Sequence, residues 1–251
     1  MLKIRSFLEY KKCLACGQEM LVYRLRKVNK NESICDSCRT GKSYSLRNNN
    51  HKGKQTNISY SFEFETSTKA NSLYELGKYN FINCYDGTIG GYEWKSPIFN
   101  NRKSFHHICR KLNKFAKYVG YGCGTHLHVS TPYKSILDEY KEEIFEPILS
   151  EMRSNKFKTV LFWGRYFNNY CRSNIGDTRY NSFNTRSSVQ TLEFRLLKFV
   201  YAEQYIRAAD FCIDTTRFLN NILSRDTFDS RIARKVGETI LKKYKEVIKD
   251  V

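Results

Sequence analysis

Phe62-Glu63-Phe64-Glu65, His126-Leu127-His128-Val129 and Leu192-Glu193-Phe194-Arg195-Leu196 share one pattern, an ionisable or metal-binding residue alternating with an apolar one. Successive side chains of a strand point to opposite faces, so each stretch predicts a strand with its polar pair on one side. Phe64, Leu127 and Phe194 then fall on the other side, packed against helices. Joined in one sheet, the three strands would have an apolar back and a front of Glu63, Glu65, His126, His128, Glu193 and Arg195. Carboxylates gathered on such a face are costly unless they hold cations or meet water. The front therefore predicts a metal-bearing site.

The rest of the chain frames that site. Its 251 residues suit one sizeable domain with a small module, and 41% hydrophobic with 15% aromatic residues excludes a disordered chain. No run approaches the roughly 18 apolar residues of a membrane span. The stretch from Met1 to Lys12 lacks the apolar run of a secretory signal, so a cytoplasmic protein is expected. The net charge is +18, and residues 1–54 carry 13 Lys and Arg against 4 Asp and Glu. Such a field favours nucleic acid, nucleotide phosphates or an acidic protein as partner, and it also serves plain solubility.

Four of the nine cysteines form a separate pattern: Cys13-Leu-Ala-Cys16 and, 18 residues on, Cys35-Asp-Ser-Cys38. Two such knuckles at this separation predict a tetrahedral structural zinc site, a zinc ribbon over residues 1–45. A module of that size has little core, and zinc would supply the missing folding free energy. Residues 46–56 are polar and aperiodic and read as a linker to a main domain over 57–251. Cys109 and Cys212 fall on apolar helical faces as core residues.

Within the main domain a first strand is predicted over Ile58–Thr66. A turn follows at Asp86-Gly87-Thr88-Ile89-Gly90-Gly91, then the short stretch Tyr92-Glu93-Trp94-Lys95. Phe105, Ile108, Leu112 and Phe115 give Ser104–Tyr118 a helical period, with His106 and His107 on its outer side. Ser135–Met152 reads as a helix bent or interrupted by Pro147. Val160–Trp163 reads as a short strand or buried loop. Glu203–Leu223 and Ser230–Ile248 are amphipathic helices, the second capped by Asp229 or Ser230.

Glutamate oxygens with an occasional histidine suit magnesium or manganese, and Glu93 adds a further carboxylate. Several Glu beside the guanidiniums of Arg165, Arg179, Arg186 and Arg195 suit nucleotide phosphate held between metal and cation. The Gly-rich phosphate loop ending in Gly-Lys-Ser/Thr is absent from the sequence.

In this order the pieces resemble the amidoligase family, ATP-dependent carboxylate–amine ligases related to glutamine synthetase. The resemblance runs over residues 58–200 and is carried by four short matches. These are Phe62-Glu63-Phe64-Glu65, then Asp86-Gly87-Thr88 with Tyr92-Glu93-Trp94-Lys95-Ser96-Pro97. Next come Gly122-Cys123-Gly124-Thr125-His126-Leu127-His128-Val129-Ser130, and Tyr180-Asn181-Ser182-Phe183-Asn184 through Thr191-Leu192-Glu193-Phe194-Arg195. Lys95 departs from the family's apolar or small residue, and Ser130 from a position often acidic.

The resemblance implies an α+β fold, a curved antiparallel sheet backed by helices. It also implies a ligase that forms an amide or peptide bond between unidentified carboxylate and amine substrates, through an acyl phosphate. Glu63, Glu65, Glu93, Glu193 and His126 would be magnesium (or manganese) ligands, with His128 beside them. Arg195 and Arg186 would stabilise the transferring phosphoryl group, and Arg165 would meet the substrate carboxylate. The alternative is a zinc-ribbon module that binds nucleic acid or protein on a catalytically inactive ligase scaffold. A metal-dependent nuclease using His126 and the Glu cluster is a third reading.

Overall fold

The computed structural model describes residues 58–251 except 68–70, 87–90, 121, 177, 179, 188, 226 and 250, together with the backbone of four short strands nearer the amino terminus. Those four form two antiparallel pairs, β1 (Tyr10–Lys12) with β2 (Glu19–Leu21) and β3 (Leu25–Lys27) with β4 (Ser33–Cys35). The predicted zinc-binding sulfurs of Cys13, Cys16, Cys35 and Cys38 lie outside what is described.

The main body is α+β. Strands β5 (Tyr60–Thr66), β6 (Ile82–Asp86), β7 (Gly91–Lys95), β8 (Thr125–Ser130), β9 (Phe183–Asn184) and β10 (Thr191–Phe194) form one sheet in the order β6-β7-β5-β8-β10-β9. Every pairing is antiparallel. The three alternating stretches of the sequence are thus the neighbouring strands β5, β8 and β10.

Alternation decides what each face meets. Phe62, Phe64, Leu127, Val129, Leu192 and Phe194 are all buried on the back of the sheet. Phe62 lies among the rings of Phe81, Phe99, Phe105 and Tyr205, and Phe64 meets Phe199 edge-on. Phe105 comes from α1 (Arg102–Leu112) and Tyr205 from α5 (Ala202–Leu223), so these two helices cover the back. Each such ring stabilises the fold by roughly 1.5–3 kcal/mol of burial. Beyond them, α2 (Lys134–Glu139), α3 (Lys141–Ser154), α4 (Lys156–Trp163) and α6 (Ser230–Val247) complete the helical layer. Trp163, Phe162, Phe211 and Tyr244 form its aromatic centre. Asp229 caps α6 by accepting a bond from the Ile232 amide at 2.8 Å. Among the described residues no helix is long and apolar enough to cross a membrane.

Two local expectations are corrected. Val160–Trp163 belongs to a helix, α4, and not to a strand or loop. Four consecutive apolar residues cannot distinguish the two. The helical turn buries Thr159, Phe162 and Trp163 and leaves Phe157, Val160 and Leu161 at the surface. Gly164, at φ 82°, ends the helix in the left-handed region with its N–H on Val160 O.

The helix expected over Ser135–Met152, bent or interrupted at Pro147, is interrupted instead at Tyr140, between α2 and α3, and α3 runs through the proline. Pro147 has no N–H for the carbonyl of Glu143, which faces α6. There the helices meet so closely that a Cβ on Gly237 would lie 2.3 Å from that oxygen. Packing of α6 against α3 holds the helix where local propensity alone would open it.

Candidate metal centre

Register builds the site. Glu63 stands opposite Lys95 on β7 and His126 on β8, and Glu65 stands opposite Glu93. One row away Ser61 faces His128, His128 faces Glu193, and Glu193 faces Asn184. Directly opposed residues of antiparallel strands share a face, so the front is a grid of carboxylates and imidazoles.

His126 occupies its middle. Its Nδ1 is 3.6 Å from Glu63 Oε2 and 3.5 Å from Glu193 Oε1, and its Nε2 is 3.5 Å from Glu65 Oε1. His128 Nε2 is 3.5 Å from Glu63 Oε1, a separation with no hydrogen bond, so this buried nitrogen has no such partner among the described residues. Nδ1 of the same ring is fixed by Thr191 Oγ1 at 3.1 Å. Ligand atoms of Glu63, His128 and Glu193 lie within 4.8 Å of one another.

The carboxylates are also held by further neighbours. Asn184 Nδ2 donates to Glu193 Oε2 at 2.6 Å, and Arg195 binds Glu193 Oε1 at 2.5 Å. The Gly124 amide donates to Glu65 Oε2 at 2.5 Å. Lys95 Nζ bridges Glu63 at 3.2 Å and Glu93 at 3.0 Å. Asn184, Thr191 and Gly124 had no assigned role in the sequence, because only the strand register brings them beside the acidic groups. Lys95 was visible there only as a departure from the family pattern.

Burial alone would raise Glu63 and Glu193. Instead His128, His126 and Lys95 pull Glu63 well below its ordinary range, and Arg195 and the histidines pull Glu193 down. Glu93 goes the other way, to about 7, because burial and the charge of Glu63 outweigh Lys95. Lys95 is raised: burial opposes its charge, but Glu63 and Glu93 overcome it. With Glu93 ionised, four carboxylates face two resident cations, Lys95 and Arg195. Those two cations leave an excess of negative charge that a divalent ion would reduce, with Arg165 over Gly124 offsetting part of it.

The donor set fits such an ion. Two carboxylates and one imidazole, whose Nε2 has no hydrogen-bond partner among the described residues, suit magnesium or, with nitrogen present, manganese. The Thr191 hydroxyl on Nδ1 is the outer contact that orients a ligating imidazole. Glu63, His128 and Glu193 bring ligand atoms within 4.8 Å of one another, His126 and Glu65 adjoin them, and Glu93 shares Lys95 with Glu63. Arg195 adjoins the cluster. Arg186 pairs with Asp138 at 3.5 Å, and Arg179 lies outside the described residues.

His128 is raised above its ordinary 6.5; burial opposes this, and the charges of Glu63 and Glu193 prevail. Metal on Nε2 requires the neutral ring, so metal and proton compete. Manganese affinity is expected to climb by about tenfold per pH unit up to the raised pKa and then level off. In metal-free protein the stability from His128 is full below 6.5 and is lost as pH rises through the raised value. The carboxylates Glu63 and Glu193 act oppositely, losing their contribution as pH falls below 4.5 through their lowered values. A manganese titration giving the same affinity from pH 6 to 8 would exclude His128 from the ligand set.

Comparison of the chain with protein-family models, with curated proteins and with solved structures found no match.

Proposed function

We propose that the protein is an ATP- and magnesium-dependent carboxylate–amine ligase. The observation that carries this reading is the convergence of Glu63, His128 and Glu193 within 4.8 Å on the polar front of an antiparallel sheet, with His126 and Arg195 beside them. The motif order of the amidoligases supports the same reading. On it the sheet and helices are a glutamine-synthetase-like catalytic domain acting in the cytoplasm.

Glu63, His128 and Glu193 would hold the cation, which would neutralise charge on the ATP phosphate oxygens. A carboxylate oxygen of one substrate attacks the γ-phosphorus and ADP leaves, giving an acyl phosphate. The amine nitrogen then attacks the acyl carbon, phosphate leaves, and the nitrogen gives up a proton. Glu93, placed near 7 by burial and Glu63, is tuned to receive that proton at neutral pH. Arg195, held by Glu193 through Nη1 and by Tyr170 O through Nε, would stabilise the transferring group with its remaining nitrogen. The chemistry is tested by ADP release with magnesium and a pool of amino acids and short peptides. Turnover should require both a carboxylate and an amine; release that needs neither would refute a ligase.

The amino-terminal module is proposed to be a zinc ribbon on Cys13, Cys16, Cys35 and Cys38, its basic surface holding nucleic acid or an acidic protein. Purified protein should carry about one zinc per chain in addition to any magnesium or manganese. Metal analysis without zinc, with all four thiols alkylated in native protein, would reject it.

A further inference from the structure

Arg165 follows Gly164 at the end of α4 and is only 7% exposed. None of its three guanidinium nitrogens has a hydrogen-bond partner among the described residues. Nη1 lies over Gly124, where a Cβ would fall 2.6 Å from it and 2.6 Å from His126 Nε2. The guanidinium therefore shares the space above one glycine with the middle imidazole of the metal centre.

Its setting is built. Gly164 is pressed against the chain that carries Lys198: a Cβ there would meet Lys198 O at 2.3 Å, and the Lys198 amide donates to Trp163 O at 2.8 Å. Lys198 Nζ donates to Gly120 O at 2.9 Å. Burial, followed by the charge of Arg165, holds the Lys198 ammonium below its ordinary range. Two cations are brought together here, and among the described residues Arg165 has no carboxylate in ion-pair contact.

A buried charge without partners destabilises a fold by several kcal/mol and persists where something else completes it. The planar fork of a guanidinium is completed by two oxygens of one oxyanion. We propose that Arg165, with Lys198 behind it, forms an oxyanion subsite beside the metal centre and takes a carboxylate or phosphate group of a ligand in bidentate fashion. The subsite requires no ATP chemistry and can be tested if the ligase reading fails.

The test is thermal unfolding of the full chain in chelator, at constant ionic strength, titrated separately with inorganic phosphate and with succinate. Wild type should be stabilised by at least one of them; the phosphate and succinate arms tell which oxyanion the fork accepts. Arg165→Met, freed of a buried unpaired charge, should unfold at a higher temperature without anion and should not respond to either. Arg165→Lys keeps the charge and loses the fork, and should bind the effective anion about tenfold more weakly. No response from wild type, or an undiminished response from the folded variants, would overturn the subsite.

Discussion

Replacement of Glu63 by Gln is expected to weaken magnesium and manganese binding by more than about 100-fold, beyond the range seen for outer contacts of a metal site. The amide keeps the shape of the side chain and removes the charge that His126, His128 and Lys95 all approach. Lys95, whose ammonium Glu63 shares with Glu93, would then turn fully to Glu93. His128, raised largely by Glu63, would titrate lower than in wild type. Calorimetric titration with manganese checks the first effect and the histidine ring resonances check the second. A variant that keeps wild-type metal affinity would place the ion elsewhere.

Phe64→Ala, one residue along the same strand, should do the reverse. The ring is fully buried on the back of the sheet against Phe199, and its loss should cost roughly 3–5 kcal/mol. Urea unfolding should show a lower midpoint with an unchanged slope. Metal affinity of the folded fraction should stay within about threefold of wild type, because the cavity opens away from the front. Equal loss of metal binding in Phe64→Ala and Glu63→Gln would mean that the two faces are not separate in function.

That separation was legible in the sequence because it needs only the two-residue period of a strand. Phe62 to Glu65, His126 to Val129 and Leu192 to Arg195 each state which side is polar, and the long helices state their apolar stripes as plainly. What sequence could not supply is register, which is set by pairings across dozens of residues. It is register that puts Lys95 between Glu63 and Glu93, Thr191 behind His128, and Asn184 on Glu193. The resemblance implies five magnesium ligands, Glu63, Glu65, Glu93, Glu193 and His126; register brings ligand atoms of Glu63, His128 and Glu193 within 4.8 Å of one another and sets Lys95 between Glu63 and Glu93. Strand β9, two residues long, carries too short a period to be read. The segment Val160–Trp163 was misread because its helical identity rests on Gly164 and on burial of Phe162 and Trp163, both matters of tertiary packing. The resemblance names Arg165 as a contact of the substrate carboxylate, but its lack of hydrogen-bond partners is a property of the folded chain alone.

On the proposed reading, the front of this sheet binds nucleotide through a divalent ion. Isothermal calorimetry of wild-type protein with ATP, in magnesium and in chelator, tests it most directly. Binding at about one ATP per chain that requires magnesium, and that Glu63→Gln abolishes, is the predicted result. No heat with magnesium-ATP, or the same affinity in chelator, would contradict it.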